Sequence, residues 1–283
     1  MNLTLKPAVE YDFLELADLL NQAFAGYFVS FNFTTAMLMQ MVRQDCVDLM
    51  ASQVALIDED TPVAVALVAR RGWASRVAVM GVVTEARGRG IGRWLMEQLI
   101  GQARHRGERL MMLEVVEQNV AALKLYQQLG FQIKRRLVGY SVQPPYSLPA
   151  VKTNGHGLQE VDLRQVAQAL TRHGLPDLPW QISGDTLAQK SLPHRGYSFG
   201  PAYTAITDPT QPHVSIQAIV VESTAQRQGW GRQIIHALMT QYPDKLWKLP
   251  PLFPEEVMAP LFESLNFGRE PLSQLQMMLD LVI

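Results

Sequence analysis

Val82-Val83-Thr84-Glu85-Ala86-Arg87-Gly88-Arg89-Gly90-Ile91-Gly92-Arg93 is the stretch that decides how this chain is read. Just before it, Arg76 to Val83 is nearly continuous in apolar side chains, which predicts a central strand buried on both faces. After it, Ile91 to Arg106 spaces its apolar residues as a helix does. The stretch is therefore a strand, a glycine-rich turn and a helix. Glycines let backbone approach a ligand closely and take dihedrals that other residues avoid. The first N–H groups of a helix are unbonded and carry the positive end of its dipole. Arg87, Arg89 and Arg93 add positive charge and forked donors suited to phosphate oxygens. Together Arg87, Gly88, Arg89, Gly90, Ile91, Gly92 and Arg93 predict an anion site, with Arg87-x-x-Gly90-x-Gly92 at its centre. The plainer reading, a tight turn with no ligand, stands beside it.

Competing motifs fail on particular residues. Gly88-x-Gly90 opens a dinucleotide fingerprint, but Arg93 stands where the third glycine belongs. A nucleotide P-loop needs Gly-Lys-Ser/Thr, which is absent, as are a Gly-x-Ser-x-Gly elbow and His-Glu-x-x-His. The six histidines are scattered and have no metal-ligand spacing, so no metal is expected.

Working outward, strands are predicted over Leu3–Lys6, Ser52–Asp58, Pro62–Arg71, Leu110–Val116, Phe131–Lys134 and Leu137–Val142. Helices are predicted over Tyr11–Phe24, Thr34–Arg43 and Val120–Leu129, the last stopped by Gly130. Pro144, Pro145, Pro149 and the Asn154–Gly157 turn mark a linker over residues 144–157, between domains at 1–143 and 158–283. Beyond it come helices at Val161–Arg172, Trp230–Thr240 and Glu255–Leu265. Strands follow the same logic at Ser198–Thr204, Val214–Val221, Lys245–Leu249 and Leu275–Val282.

The second half echoes the first. Val221-Glu222-Ser223-Thr224-Ala225-Gln226-Arg227-Gln228-Gly229-Trp230-Gly231-Arg232 repeats the opening stretch. Leu261-Phe262-Glu263-Ser264-Leu265-Asn266-Phe267 repeats Leu125-Tyr126-Gln127-Gln128-Leu129-Gly130-Phe131. Two motifs recurring in one order at nearly one offset predict a tandem duplication.

Bulk properties agree with two globular domains. The 283 residues suffice for two units of roughly 140 each. Hydrophobic residues make up 48% and charged residues 18%, a balance that builds cores. A formal net charge of −1 offers no general attraction to nucleic acid or anionic membrane, and neither is expected as a partner. The lone Cys46 allows no internal disulfide, which fits a reducing compartment, and no apolar run reaches the ~20 residues of a membrane span. With no signal-peptide pattern at the start, a cytoplasmic location is expected.

The residues of the first half resemble the GNAT superfamily of acyl-CoA-dependent N-acetyltransferases. The family's phosphate motif, Gln/Arg-x-x-Gly-x-Gly/Ala, is matched by Arg87-x-x-Gly90-x-Gly92. A second family pattern follows as Leu113-Glu114-Val115, Asn119, Ala122, Leu125-Tyr126 and Gly130-Phe131. The resemblance covers most of residues 1–143. It implies an α/β fold (α+β, with a mixed sheet), present here as a tandem GNAT-like acyl-CoA N-acyltransferase. It implies that Arg76–Val83 and Leu110–Val116 splay apart, with the pantetheine arm of acetyl-CoA between them. The open strand edge near Met80, Gly81, Val82 and Val83 would pair with that arm, and one N–H would face the thioester oxygen.

The chemistry implied is direct attack of a neutral amine on the thioester, with loss of the CoA thiolate. Tyr126 matches the general acid, since a phenol with a pKa near 10 is protonated at neutral pH. Glu114 matches a general base acting through water, with Glu85 and Glu117 as lesser candidates. Asn119 would bind the cofactor or orient the following helix. On the residues alone, Tyr126 also reads as a core side chain, Glu114 as a salt-bridge partner and Asn119 as a helix N-cap.

Gln226-x-x-Gly229-x-Gly231, followed by Arg232, matches the phosphate motif a second time and marks a candidate second site. Its lobe is read as degenerate. Phe262 stands where Tyr126 stood, and Pro250, Pro251 and Pro254 interrupt the stretch matching Glu114–Asn119. The pair of early helices looks reduced to one. Phe24, Tyr27, Phe28, Phe31 and Phe33 fall between the first two helices, which line the acceptor site in the family. They fit core packing or a partly apolar amine acceptor, either a small molecule or a peptide end. A non-catalytic acyl-CoA sensor on the same fold is the alternative. Duplication by itself also allows an enzyme acetylating a thiol-cofactor precursor. A monomer and a homodimer both stand open.

Overall fold

The computed structural model describes residues 2–29, 31–147 and 156–282. Setting short 3-10 turns aside, the first repeat runs β1 (Leu3–Pro7), α1 (Phe13–Ala23), α2 (Thr35–Asp45), β2 (Gln53–Ile57), β3 (Thr61–Arg71), β4 (Ala74–Val82), α3 (Ile91–His105), β5 (Leu110–Val116), α4 (Val120–Gln128) and β6 (Gln132–Val142). The second runs β7 (Gln159–Val161), α5 (Leu163–His173), α6 (Gly184–Ala188), β8 (Arg195–Phe199), β9 (Ala202–Ile206), β10 (His213–Val221), α7 (Trp230–Gln241), β11 (Leu246–Pro254), α8 (Glu255–Glu263) and β12 (Gly268–Asp280). The two sequences of elements are identical in order, so the duplication read from two motifs extends along the whole chain.

The chain packs as two compact units, Met1–Lys134 with Leu275–Ile283, and Arg135–Gln274. In the first unit β1, β2, β3 and β4 form antiparallel pairs in succession, and β5 lies parallel to β4. β12 is the next neighbour of β5, and Leu281 N–H bonds to Arg109 O at 2.9 Å. In the second unit β7, β8, β9 and β10 pair antiparallel, β11 lies parallel to β10, and β6 pairs antiparallel with β11. The later part of each repeat's last strand, residues 135–142 of β6 and 275–280 of β12, therefore belongs to the other repeat's unit. This departs from the expected ranges 1–143 and 158–283. Alternating apolar residues reveal that a segment is a strand; they carry no information on which sheet receives it. Of the expected linker, residues 148–155 lie outside the described residues.

Local chemistry explains the elements. Asp12 opens α1 with a capping box: its Oδ1 accepts from Leu14 and Glu15 N–H at 2.8 Å, and Glu15 Oε2 accepts from Asp12 N–H. β3 is buried without a break from Val63 to Ala69, as a strand covered on both faces must be. α3 turns Ile91, Leu95, Met96, Leu99, Ile100 and Ala103 inward at helical spacing. Other differences from the expected elements have simple causes. The two strands expected at Phe131–Lys134 and Leu137–Val142 are one strand, β6. Ser198–Thr204 is instead divided into β8 and β9 by a turn in which Gly200 takes φ +54°. β11 runs through Pro250 and Pro251 because its pairing with β6 shifts register between Leu249 and Phe253, where missing N–H groups are not needed. The second helix of the second repeat exists as α6. It is five residues long, too short to show a period, and Ser183 caps it.

Candidate active site

β4 and β5 pair only at Ala74–Leu110, Ser75–Met111 and Arg76–Met112. Beyond Arg76 the strands part, and β4 changes from buried to half-buried from Ala78 to Val82. Over the same stretch β4 stays bonded to β3, with a bulge at Ala78 between the pairs Val68–Val77 and Leu67–Val79. The strand thus has one satisfied edge and one open edge past Arg76, and Met80 and Val82, which alternate with the β3-facing Gly81 and Val83, turn their backbone groups to the open one. Val83 does not share this, because its N–H is bonded to Val63 O at 2.9 Å. An ion pair closes the base of the splay. Arg76 Nε donates to Glu114 Oε2 at 2.7 Å, with the two side chains only 6% and 2% exposed. The pair links the last bonded residue of β4 to a residue of β5 beyond the last bonded pair.

The glycine turn leads from β4 into α3. Gly88 and Gly90 take φ +76° and +80°, the left-handed region, and nothing lies within 4 Å of where a Cβ would stand on either. Gly90 is the N-cap of α3 and offers no side chain to the helix. The first helical N–H with a backbone acceptor is that of Trp94, bonded to Gly90 O at 3.0 Å. The N–H groups of Ile91, Gly92 and Arg93 precede it at the positive end of the dipole. The side chain of Ile91 is buried in the core. A Cβ on Gly92 would meet Met80, Val82 and Leu125 at 3.5 to 3.8 Å, so the start of α3 packs against both β4 and α4.

The arginines divide in a way the sequence did not show. Arg87, although exposed, folds back onto the backbone: Nε donates to Val82 O at 3.1 Å and Nη2 to Ala23 O at 2.9 Å. Expected as a phosphate donor, it instead joins the ends of β4 and α1. Arg93 bonds to Gln128 on α4 and lies 3.7 Å from Glu97 one turn on. Arg89 is exposed on the turn.

Tyr126 lies on α4 with 8% exposure, its ring edge-on to Phe131 at 5.9 Å. Burial, and then the neighbouring Tyr27, push its phenol well above the ordinary range. Asn119 does two jobs. Its Oδ1 accepts from Ala122 N–H at 3.2 Å, capping α4, and its Nδ2 donates to Tyr27 Oη at 3.3 Å. Tyr27 packs on Phe24 at 5.0 Å and Phe28 at 5.2 Å, and Phe24 also meets Phe31 and Phe33. A Cβ on Gly81 would lie 3.0 Å from the Phe24 ring and 2.7 Å from Ala23 Cβ. The aromatic segment thus reaches from the open edge of β4 to Tyr126. Phe33 is in the core, while Phe28 and Phe31 are 56% and 41% exposed. Tyr27 and Arg76 belong to this site and carried no motif; only the folded chain brings them to Asn119 and Glu114.

The second repeat builds the same frame. β10 and β11 pair only at His213–Leu246, Val214–Trp247 and Ser215–Lys248, and β10 has its bulge between Ile216 and Ala218. Gly229 caps α7 at φ +88°. Gln226 Nε2 donates to Val221 O at 3.1 Å and to His173 O at 3.2 Å, the carbonyls matching Val82 and Ala23.

Residues 16–131 match the Acetyltransferase (GNAT) family. Among solved structures, the GCN5-related N-acetyltransferase from Sphaerobacter thermophilus superposes with a TM-score of 0.73 at 14% identity, over 99% of this chain and 96% of that one. A tandem GNAT protein from the clavulanic acid biosynthesis pathway, solved without AcCoA, gives 0.68 at 15%, over 100% and 99%. The GCN5-related N-acetyltransferase from Anabaena variabilis gives 0.64 at 15%, over 99% and 73%. No curated protein matches the sequence. The chain has a tandem GNAT fold, and the stretch that matches the family lies in its first lobe.

The second GNAT lobe departs from the first where chemistry would occur. Phe262 takes the place of Tyr126, fully buried, edge-on to Phe267 at 5.0 Å and stacked on Tyr140 at 5.8 Å. Arg227 holds φ +60° where the first lobe has Gly88, a conformation costing a non-glycine residue roughly 1–2 kcal/mol. Arg232, matching Arg93, is exposed. Among the described residues no three His, Cys, Asp or Glu side chains converge as for a metal, and no helix is long and apolar enough to cross a membrane.

Proposed function

We propose that the first lobe is an N-acetyltransferase that transfers an acetyl group from acetyl-CoA to a primary amine of a small molecule or peptide. The observation carrying this reading is the open edge of β4 past Arg76, set between a left-handed glycine cradle and the buried phenol of Tyr126. Bound acetyl-CoA would supply the activated acyl group. The empty space at the Cβ positions of Gly88 and Gly90 and the outward N–H groups of Ile91, Gly92 and Arg93 suit its pyrophosphate, with Arg89 adding charge from outside. On the open edge, where alternate residues turn their backbone groups, Met80 offers its N–H and C=O and Val82 its N–H to an extended amide chain, and an N–H there can stabilise an oxyanion. Tyr126 holds its proton throughout the physiological range and delivers it from Oη as general acid.

Glu114 matches the family's base position, but its Oε2 is committed to Arg76. We assign it to holding the splay, with the amine entering in its neutral form; Tyr126 protonates the departing CoA thiolate, and the proton that the nitrogen sheds passes through water and restores the phenol. The exposed rings of Phe28 and Phe31 favour an acceptor with an apolar body beside the amine. The second lobe keeps the frame without the phenol, and we read it as non-catalytic. The single cysteine favours a reducing compartment such as the cytoplasm.

The test is release of free CoA from acetyl-CoA across a panel of amines. Release that depends on an amine supports the enzyme. Saturable CoA binding with no release under any amine supports a sensor instead, and no binding removes the reading.

A further inference from the structure

The first residue of the phosphate motif carries the firmest new inference, which rests on the acyl-CoA reading above. Arg87 was expected to reach out to phosphate. Two of the five N–H donors of its guanidinium go to carbonyls, Val82 O at the end of β4 and Ala23 O at the end of α1. In the second lobe a neutral side chain, Gln226, makes the same pair of bonds to Val221 O and His173 O at the same two element ends. Two residue types, one charged and one not, thus converge on one bonding pattern. What the duplicated positions share is a pair of N–H donors that fit between two carbonyls; charge is not shared.

We propose that Arg87 is a positioning residue that clamps the glycine turn to the end of α1, and that it does not contact the pyrophosphate. Both clamped carbonyls matter to the site. Val82 ends the open edge of β4, and Ala23 immediately precedes Phe24, whose ring packs on Gly81. The clamp therefore fixes the cradle and the start of the aromatic segment with one side chain. Losing it leaves two carbonyls without their donor and frees both segments together.

Two neutral side chains of similar length separate the roles. Gln keeps the paired donors, as Gln226 shows, and Met keeps only the stem. CoA affinity is measured by calorimetry for the wild type, R87Q and R87M, and backbone hydrogen exchange is followed over residues 24–28. A clamp predicts that R87Q stays within about twofold of wild type and that R87M weakens CoA roughly tenfold, the scale of one or two lost hydrogen bonds. Exchange over residues 24–28 rises in R87M and not in R87Q. A phosphate contact predicts that R87Q and R87M lose affinity equally, with exchange unchanged in both, and that result overturns the clamp. If R87M does not fold, R87Q decides, since a tenfold loss there is incompatible with a clamp. If wild type binds no CoA, the acyl-CoA reading fails, and the exchange comparison still judges the clamp.

Discussion

Tyr126 and Phe262 differ by one oxygen atom, and that atom separates the lobes chemically. Burial and the adjacent Tyr27 keep the Tyr126 phenol protonated, so it can serve as an acid, whereas Phe262 can only pack. Tyr126→Phe should lower turnover by about 10²–10⁴-fold while CoA affinity stays within a factor of about two. Steady-state kinetics paired with calorimetry checks this, and unchanged turnover would remove Tyr126 from the mechanism. The raised phenols also set a direction for stability. Tyr126 and Tyr140, the latter pushed up to about 12 by burial and then by its bond to Glu263, stay protonated in the folded chain above the pH where unfolded tyrosines ionise. The unfolded state then binds fewer protons, so stability is intact below pH ~10 and falls as pH rises beyond it. Urea melts at pH 8 and pH 11 should show the drop, smaller in Tyr126→Phe.

Glu114 can be settled at the same scale. Replacing it by Gln leaves the Arg76 charge buried without its counter-charge, a loss of about 3–5 kcal/mol. Our assignment expects that destabilisation in chemical melts with turnover preserved. Loss of turnover together with the acidic limb of the pH–rate profile would restore Glu114 as base.

At the scale of elements, the strand–turn–helix unit was the most legible part of the sequence. Glycine spacing, an apolar strand and a periodic helix are all local signals, and β4, the cradle and α3 stand where those signals put them. Gly90→Glu should therefore abolish measurable CoA binding; the new side chain meets open space, so its cost to stability is the roughly 1–2 kcal/mol of a non-glycine residue held in the left-handed region. What the sequence hid is non-local. The clamp of Arg87, the tie from Asn119 to Tyr27 and the pair of Arg76 with Glu114 each join residues more than 35 apart. No periodicity or motif records such pairs. Short α6 escaped for the opposite reason, having too few residues to display a period.

For the whole molecule, the duplication predicts unequal halves. Titration with acetyl-CoA should show one site that supports turnover, and Gly229→Glu should leave turnover unchanged; two equivalent sites would contradict a degenerate second lobe. The border between units makes a second prediction. Leu279, 7% exposed, lies 3.2 Å from where a Gly130 Cβ would stand, inside the first unit. Leu279→Ala should cost about 2–5 kcal/mol and weaken the first unit, although it lies near the far end of the chain. Equilibrium unfolding followed by CoA binding measures that. The same border has a meaning for biogenesis. A ribosome releases residues 1–134 long before 275–282 exist, so the first lobe must wait, with β5 lacking its neighbour, until residues 135–274 have also been made. During that interval the uncovered flank of β5 is a natural target for chaperones and for mispairing between nascent chains.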